Sequence, residues 1–197
     1  MGFKLIILTT PSSIRSEVKL ICDLFDNELQ ILHVRKPKFS KAELKKLLAE
    51  IPVKCHKRIV IHSHYSLLKE FNLKGIHLTE KSRKKKLPAY FNPKKHSLSA
   101  SFHSIKEIQS SKRKYDYIFL SPIFNSVSKK GYKSNFTEQE LKVFLKENKN
   151  IIALGGTIPA AIKKLKEMNF KGAAALGFMW ENKNPLKAYR QLASKIK

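Results

Sequence analysis

Acidic residues are scarce in this chain: 15 Asp and Glu stand against 40 Lys and Arg, a formal charge of +25 over 197 residues. Arginine hardly contributes to the excess, being confined to Arg15, Arg35, Arg58, Arg83, Arg113 and Arg190. The lysines are scattered, and the densest runs, Lys84-Lys85-Lys86 and Lys94-Lys95, carry no interleaved aromatics. Nucleic-acid readers favour arginine forks and stacking aromatics. We therefore read a lysine-coated surface that draws small anions, with no specific nucleic-acid partner. Cysteine is limited to Cys22 and Cys55, which excludes a disulfide framework or a cysteine metal site. Cys22 lies in an apolar helical stretch and is expected in the core. No apolar run is long enough for a membrane-spanning helix, and Leu5-Ile6-Ile7-Leu8 is too short for a signal-peptide core. The expectation is a reduced, cytoplasmic protein without a membrane partner. No Gly-x-Gly-x-x-Gly follows the first apolar run, which argues against a dinucleotide-binding sheet.

Glycine is rare but well placed. Ile151-Ile152-Ala153-Leu154 ends in Gly155-Gly156-Thr157, and Ala173-Ala174-Ala175-Leu176 ends in Gly177. Uncharged apolar runs of this length suggest strands buried on both faces. A glycine at the end of each lets backbone N–H groups approach a ligand closely. Two such turns, one helix apart near the end of a βα chain, are how a barrel holds a phosphate. Strands are expected at Lys4–Leu8, Leu29–Val34, Arg58–Ile61, Gly75–Leu78, Ser97–Ser101, Tyr117–Leu120, Ile151–Leu154 and Gly172–Leu176. Segments of helical period separate them. Ser40 with Glu43, Ser104 with Glu107, and Thr137 with Glu140 read as capping boxes. Thr157 followed by Pro159 reads as another helix start, and Asn184-Pro185 opens the last helix. The alternation indicates an α/β protein with a parallel sheet, either a closed barrel or an open doubly wound sheet. The strand count favours a compact (β/α)8 TIM barrel, a single domain over residues 1–197.

In such a barrel, chemistry belongs at the carboxyl ends of the strands. The unusual polar residues fall there. His33 and Arg35 close the second strand, and His62 and Ser63 follow the third. Ser101 and His103 follow the fifth. Ser126, Ser128 and Lys129 lie in a long loop after the sixth, rich in hydroxyls and cations and suited to close over a phosphate as a lid. His103 is the leading catalytic candidate, because an imidazole both accepts and donates protons. His77, in mid-strand, reads as a packed, hydrogen-bonded ring.

At these residues the chain resembles the thiamine phosphate synthase family, which includes thiazole tautomerases of the TenI type. The likeness rests on His33-Val34-Arg35-Lys36, Gly75-Ile76-His77-Leu78, Ser101-Phe102-His103-Ser104, Pro122-Ile123-Phe124 through Ser128-Lys129-Lys130, and Ala153-Leu154-Gly155-Gly156-Thr157. The resemblance implies a (β/α)8 barrel that binds thiazole phosphate at the turns after strands seven and eight. Gly155, Gly156, Leu176 and Gly177 would serve there, with Arg35, Ser101, Ser126, Ser128 and Lys129 contacting substrate. The synthases join a pyrimidine pyrophosphate to the thiazole phosphate, using Mg2+ held by two aspartates. Those aspartates fall at Ser63 and Ser82 here, so both metal carboxylates are missing. The synthases' glutamine falls at His33, and their lysine after the strand-two Arg falls at Pro37. The resemblance therefore points first to a metal-independent, TenI-like tautomerase with His103 as proton carrier and His33 or His62 as a second acid or base. No cofactor is expected for it. The alternative is thiamine phosphate synthase, the one reading that calls for Mg2+. A second alternative is a non-catalytic binder of a phosphorylated ligand or polyanion. The expected partner is a small phosphorylated metabolite, and the family suggests a homodimer.

Overall fold

The computed structural model describes residues 2–124 and 136–196. Its strands are β1 (Lys4–Leu8), β2 (Ile31–Val34), β3 (Ile59–Ile61), β4 (Gly75–Leu78), β5 (Ser97–Phe102), β6 (Tyr117–Leu120), β7 (Ile151–Leu154) and β8 (Gly172–Ala175). All neighbours are parallel, and β8 returns to β1 with Lys4 opposite Gly172 and Ile7 opposite Ala175, closing the barrel. The first two connections carry α1 (Glu17–Asp26), α2 (Lys41–Glu50) and α3 (Val53–His56). After β3 the crossover shrinks to a 3-10 turn, Tyr65–Lys69, and after β4 to α4 (Glu80–Arg83). Then come α5 (Ile105–Gln109), α6 (Glu138–Glu147), α7 (Ala161–Glu167), α8 (Gly177–Trp180) and α9 (Pro185–Ser194).

The strand sequences are mostly apolar because both faces are covered. Leu5, Ile7, Leu32, Ile59, Ile61 and Ile76 face the helices. The alternate residues Ile6, Leu8, Val60, Phe119, Ile152 and Ala174 fill the barrel. Two expected capping boxes form in full, at Ser40–Glu43 and Thr137–Glu140. At Ser104 only half forms: its hydroxyl accepts from the Glu107 N–H, while the Glu107 carboxylate turns to Arg83 and the His103 N–H. The expected start at Thr157 is displaced, since α7 begins at Ala161. Leu29 does not open β2, because its N–H completes the C-terminal turn of α1 by bonding the Leu24 carbonyl while Glu28 takes a left-handed φ of 68°. Leu176 leaves β8 to cap α8. Cys22 is only half-buried, while Cys55 is buried, and both are free. Among the described residues, no helix is long and apolar enough to cross a membrane.

One charged pair is sealed into this frame. Lys36, just past β2, is 1% exposed, and its ammonium lies 2.6 and 2.8 Å from the two carboxylate oxygens of Glu17 on α1. It also donates to the Ser12 carbonyl at 2.7 Å. The pair pins the loop after β1 to the loop after β2, so this lysine belongs to the frame and not to the substrate-facing charge. Removing one partner strands the other charge away from water. Lys36→Met should therefore cost about 3–5 kcal/mol in urea unfolding, and adding Glu17→Leu should restore much of it.

Candidate active site

The carboxyl ends of the strands open onto a cavity of about 380 Å³. Arg35, His62, Ser101 and His103 line it together with Gly155, Gly156, Leu176 and Gly177. Ser126, Ser128 and Lys129, with the rest of the expected lid from residue 125, lie outside the described residues. His33 does not reach the wall. It is fully buried one layer below, which corrects its expected placement as a residue in contact with substrate.

The turn after β7 is built for close approach. Gly155 has φ 95° and Gly156 φ 66°, a region that side chains disfavour. A Cβ on Gly155 would sit 3.1 Å from Pro122, where the chain after β6 is laced to β7 by Ile123 N–H to the Leu154 carbonyl at 3.0 Å. Thr157 follows. Its hydroxyl is buried on the cavity wall and has no hydrogen-bond partner among the described residues. Buried hydroxyls are normally satisfied, so an unpartnered one on a cavity wall has capacity left to bond a ligand. Sequence reasoning read Thr157 as a helix cap. Its position directly after two glycines was the available signal. The matching turn after β8 is held by α8, whose Trp180 indole donates to the Leu8 carbonyl at 2.6 Å.

His103 is exposed and lines the same cavity. Its Nδ1 lies 2.9 Å from the Ser121 carbonyl. A carbonyl only accepts, so Nδ1 carries the proton and Nε2 is left as the basic nitrogen.

Beneath the mouth, half of the barrel interior is polar. His33 Nδ1 meets His62 Nε2 at 2.9 Å, and His33 Nε2 meets the Tyr117 hydroxyl at 2.7 Å. His77 sits between Ser99 at 2.9 Å and Ser101 at 2.7 Å. Burial, reinforced by the neighbouring His77, holds His33 and His62 well below the ordinary imidazole range. Burial and the Arg35 charge push His77 down to about 3. Burial also raises the Tyr117 phenol. The rings are therefore neutral at physiological pH. The clue lay in Ser97-Leu98-Ser99-Ala100-Ser101, whose period of two puts serines on one strand face.

The donors here do not suit Mg2+, which takes oxygen ligands, carboxylates above all. The Ser82 hydroxyl is engaged with Thr79 and Tyr65, and Ser63 offers only a hydroxyl. Among the described residues, one group has metal-ligand spacing: His33, His62 and His77, with nitrogens within 4.8 Å of one another. These are nitrogen donors, better matched to softer ions. His62 and His77 are stacked 4.2 Å apart, and stacked rings do not aim their in-plane lone pairs at one point.

A family model described as thiamine monophosphate synthase matches residues 5–177. The chain belongs to this family. It is 34% identical to a thiamine phosphate pyrophosphorylase from Bacteroides thetaiotaomicron, whose crystal structure superposes with a TM-score of 0.85 over 98% of this chain and 97% of that one. It is 27% identical over 153 residues to a thiamine-phosphate synthase of Prochlorococcus marinus, covering 77% of this chain. That match takes in 44% of the Prochlorococcus protein, so the chain spans under half of that relative's length. A thiamine-phosphate synthase of Clostridium tetani is 24% identical over 166 residues, covering 82% of this chain and 79% of that protein.

The neutral rings give the family member a pH signature. Unfolded histidine binds a proton below about pH 6.5, whereas the buried rings do not, so the unfolded state takes up more protons and stability falls with pH. For His33 and His77 the loss should approach about 1.4 kcal/mol per pH unit each below that point, down to the folded pKa. Guanidinium unfolding at a series of pH values checks it, and a flat profile between neutral pH and pH ~5 contradicts neutral burial.

Proposed function

We propose that the mouth holds a thiazole phosphate by its phosphate group and that the chain acts as a thiamine-phosphate synthase. The observation that carries the reading is the unpartnered Thr157 hydroxyl beside the two positive-φ glycines at the end of β7. Backbone N–H groups and a hydroxyl there complement a phosphate dianion. The names of the relatives support the synthase over the tautomerase. In this reaction the C–O bond of the pyrimidine methylene breaks first and its electron pair leaves with pyrophosphate. The thiazole nitrogen then forms the new C–N bond. Arg35 is the cation on the cavity wall suited to the departing charge. Ser126, Ser128 and Lys129 join it in this proposal through the family resemblance. The family's Mg2+ does not fit the residues at Ser63 and Ser82, and no step here runs through it.

The geometry of His103 favours a second reading, a tautomerase that shifts a proton within a thiazole phosphate carboxylate. Its fixed Nδ1–H leaves Nε2 as a base on the wall of the same cavity as the phosphate turn. General acid–base help of this kind is worth about two to four powers of ten in rate.

Purified protein mixed with hydroxymethylpyrimidine pyrophosphate and thiazole phosphate should form thiamine phosphate, and chelating Mg2+ should leave that activity in place. Tautomerisation without condensation would select the second reading. Turnover of neither substrate would overturn both and leave a phosphate-ligand binder. Thr157→Val should raise KM for thiazole phosphate about 10–100-fold, the worth of a hydrogen bond to a charged group. An unchanged KM would move the phosphate elsewhere.

A further inference from the structure

The chemistry proposed for the mouth leaves the buried hydrogen bonds beneath it unused. They fall into two separate chains. One runs from Tyr117 through His33 to His62, the other from Ser99 through His77 to Ser101. Each reaches the cavity wall, at His62 and at Ser101.

The first chain has a direction. Tyr117 is 2% exposed, and its hydroxyl makes one hydrogen bond among the described residues, to His33 Nε2 at 2.7 Å. A buried O–H that donates to nothing gives up water and gains no partner. The phenol is therefore the donor and Nε2 the acceptor. A neutral imidazole that accepts at one nitrogen carries its proton on the other. His33 thus donates from Nδ1 to His62 Nε2, 2.9 Å away. His62 accepts at Nε2, so its own proton sits on Nδ1, which has no partner among the described residues. The reverse direction would leave the Tyr117 proton unpaired inside the barrel. The second chain has no such bias. It carries a hydroxyl at each end, and Ser99 can turn to His77 at 2.9 Å or to the Ile76 carbonyl at 3.4 Å.

We infer that Tyr117, acting through His33, fixes His62 as a hydrogen-bond donor at the mouth, where it selects ligands that present a bare heteroaromatic ring nitrogen over those that present an N–H. Tyr117 and His33 are positioning residues, and His62 determines specificity. A ligand N–H set against the His62 N–H would leave two donors facing each other, whereas a ring lone pair completes the chain. His62 then serves as a donor and not as the second acid or base that the sequence suggested. Taking up another proton would make it an imidazolium, which burial disfavours, with the nearby Arg35 charge adding to the effect. The two groups divide the work of the wall: Arg35 answers an anion, and His62 answers a neutral acceptor. The inference rests on the mouth being the ligand site, as in the proposed function, but on no particular reaction there.

The test is heteronuclear NMR of the full chain with labelled histidines, which separates protonated from bare ring nitrogens. At neutral pH, His33 and His62 should both be Nδ1–H, by about tenfold or more over the other tautomer, the cost of an unpaired buried O–H. An Nε2–H on either ring, or an even mixture, would overturn the inference. Two probes of similar size then read the selectivity: pyridine, with a lone pair and no N–H, and pyrrole, with an N–H and no free lone pair. Pyridine should shift the His62 Nδ1 resonance and bind about 2–10-fold more tightly than pyrrole, the worth of a neutral hydrogen bond. His62→Leu should remove that preference. Equal response to both probes, response to neither, or a preference that survives His62→Leu would sink the specificity role. None of these readouts needs turnover, so a failed synthase assay leaves them standing. Should the variant not fold, the tautomers and probe shifts of the parent protein still decide.

Discussion

A sheet that closes on itself removes its interior from water, and each polar side chain pointing inward must then find its partner inside the ring. In this barrel that constraint falls unevenly. β1, β7 and β8 fill their share with Ile6, Leu8, Ile152 and Ala174. β2, β4, β5 and β6 contribute His33, His77, Ser99 and Tyr117, all buried. None of these four could be there alone. A lone imidazole behind Phe119 would be an unsatisfied polar group. Together, and with His62 and Ser101 at the rim, they satisfy one another. The polar half also sets the electrostatics of the floor: neutral, hydrogen-bonded and sensitive to the orientation of each ring.

The rim works by different rules. Its proposed anion site is made of main chain and a hydroxyl, beside Gly155, which no larger residue could replace without meeting Pro122. Its cation is Arg35, while the adjacent Lys36 turns inward to Glu17 and fixes the loops. Two neighbouring positive residues thus have different settings, one lining the cavity and one inside the frame. Among the described residues the remaining lysines are partly or fully exposed. Their field concentrates small anions near the protein but has no direction, so in the proposed function the orientation of a phosphate comes from the glycine turns.

Much of this could be read from the chain. The largely apolar runs at Lys4–Leu8, Gly75–Leu78, Tyr117–Leu120 and Ile151–Leu154 match the observed strands residue for residue, because burial on both faces leaves a mostly apolar signature. The glycine turn and the strand-end position of His103 were legible for a similar reason: backbone geometry and topology leave local marks. Long-range pairing leaves none. Nothing around Lys36 announces a partner nineteen positions earlier. His33 looked like a rim residue because it lies two positions before Arg35, yet the pleat turns it into the barrel and the chain climbs to the mouth only afterwards. Glu107 was legible as a capping residue, but Arg83, from the loop after a different strand, competes for its carboxylate.

The two halves of the site depend on side chains to different degrees. A backbone phosphate turn needs glycine geometry and little else, so it survives changes around it. A Mg2+ site needs carboxylates at fixed points, and hydroxyls at Ser63 and Ser82 cannot replace them. What occupies the floor instead is a set of groups that carry protons and no net charge. A dianion anchored at the first half would bring its ring over the second, where the polar atoms at hand are those of His62, Ser101 and His103. The choice between expelling an anionic leaving group and relocating a proton is then made by how much positive charge the mouth can gather around Arg35. The floor supplies none of it.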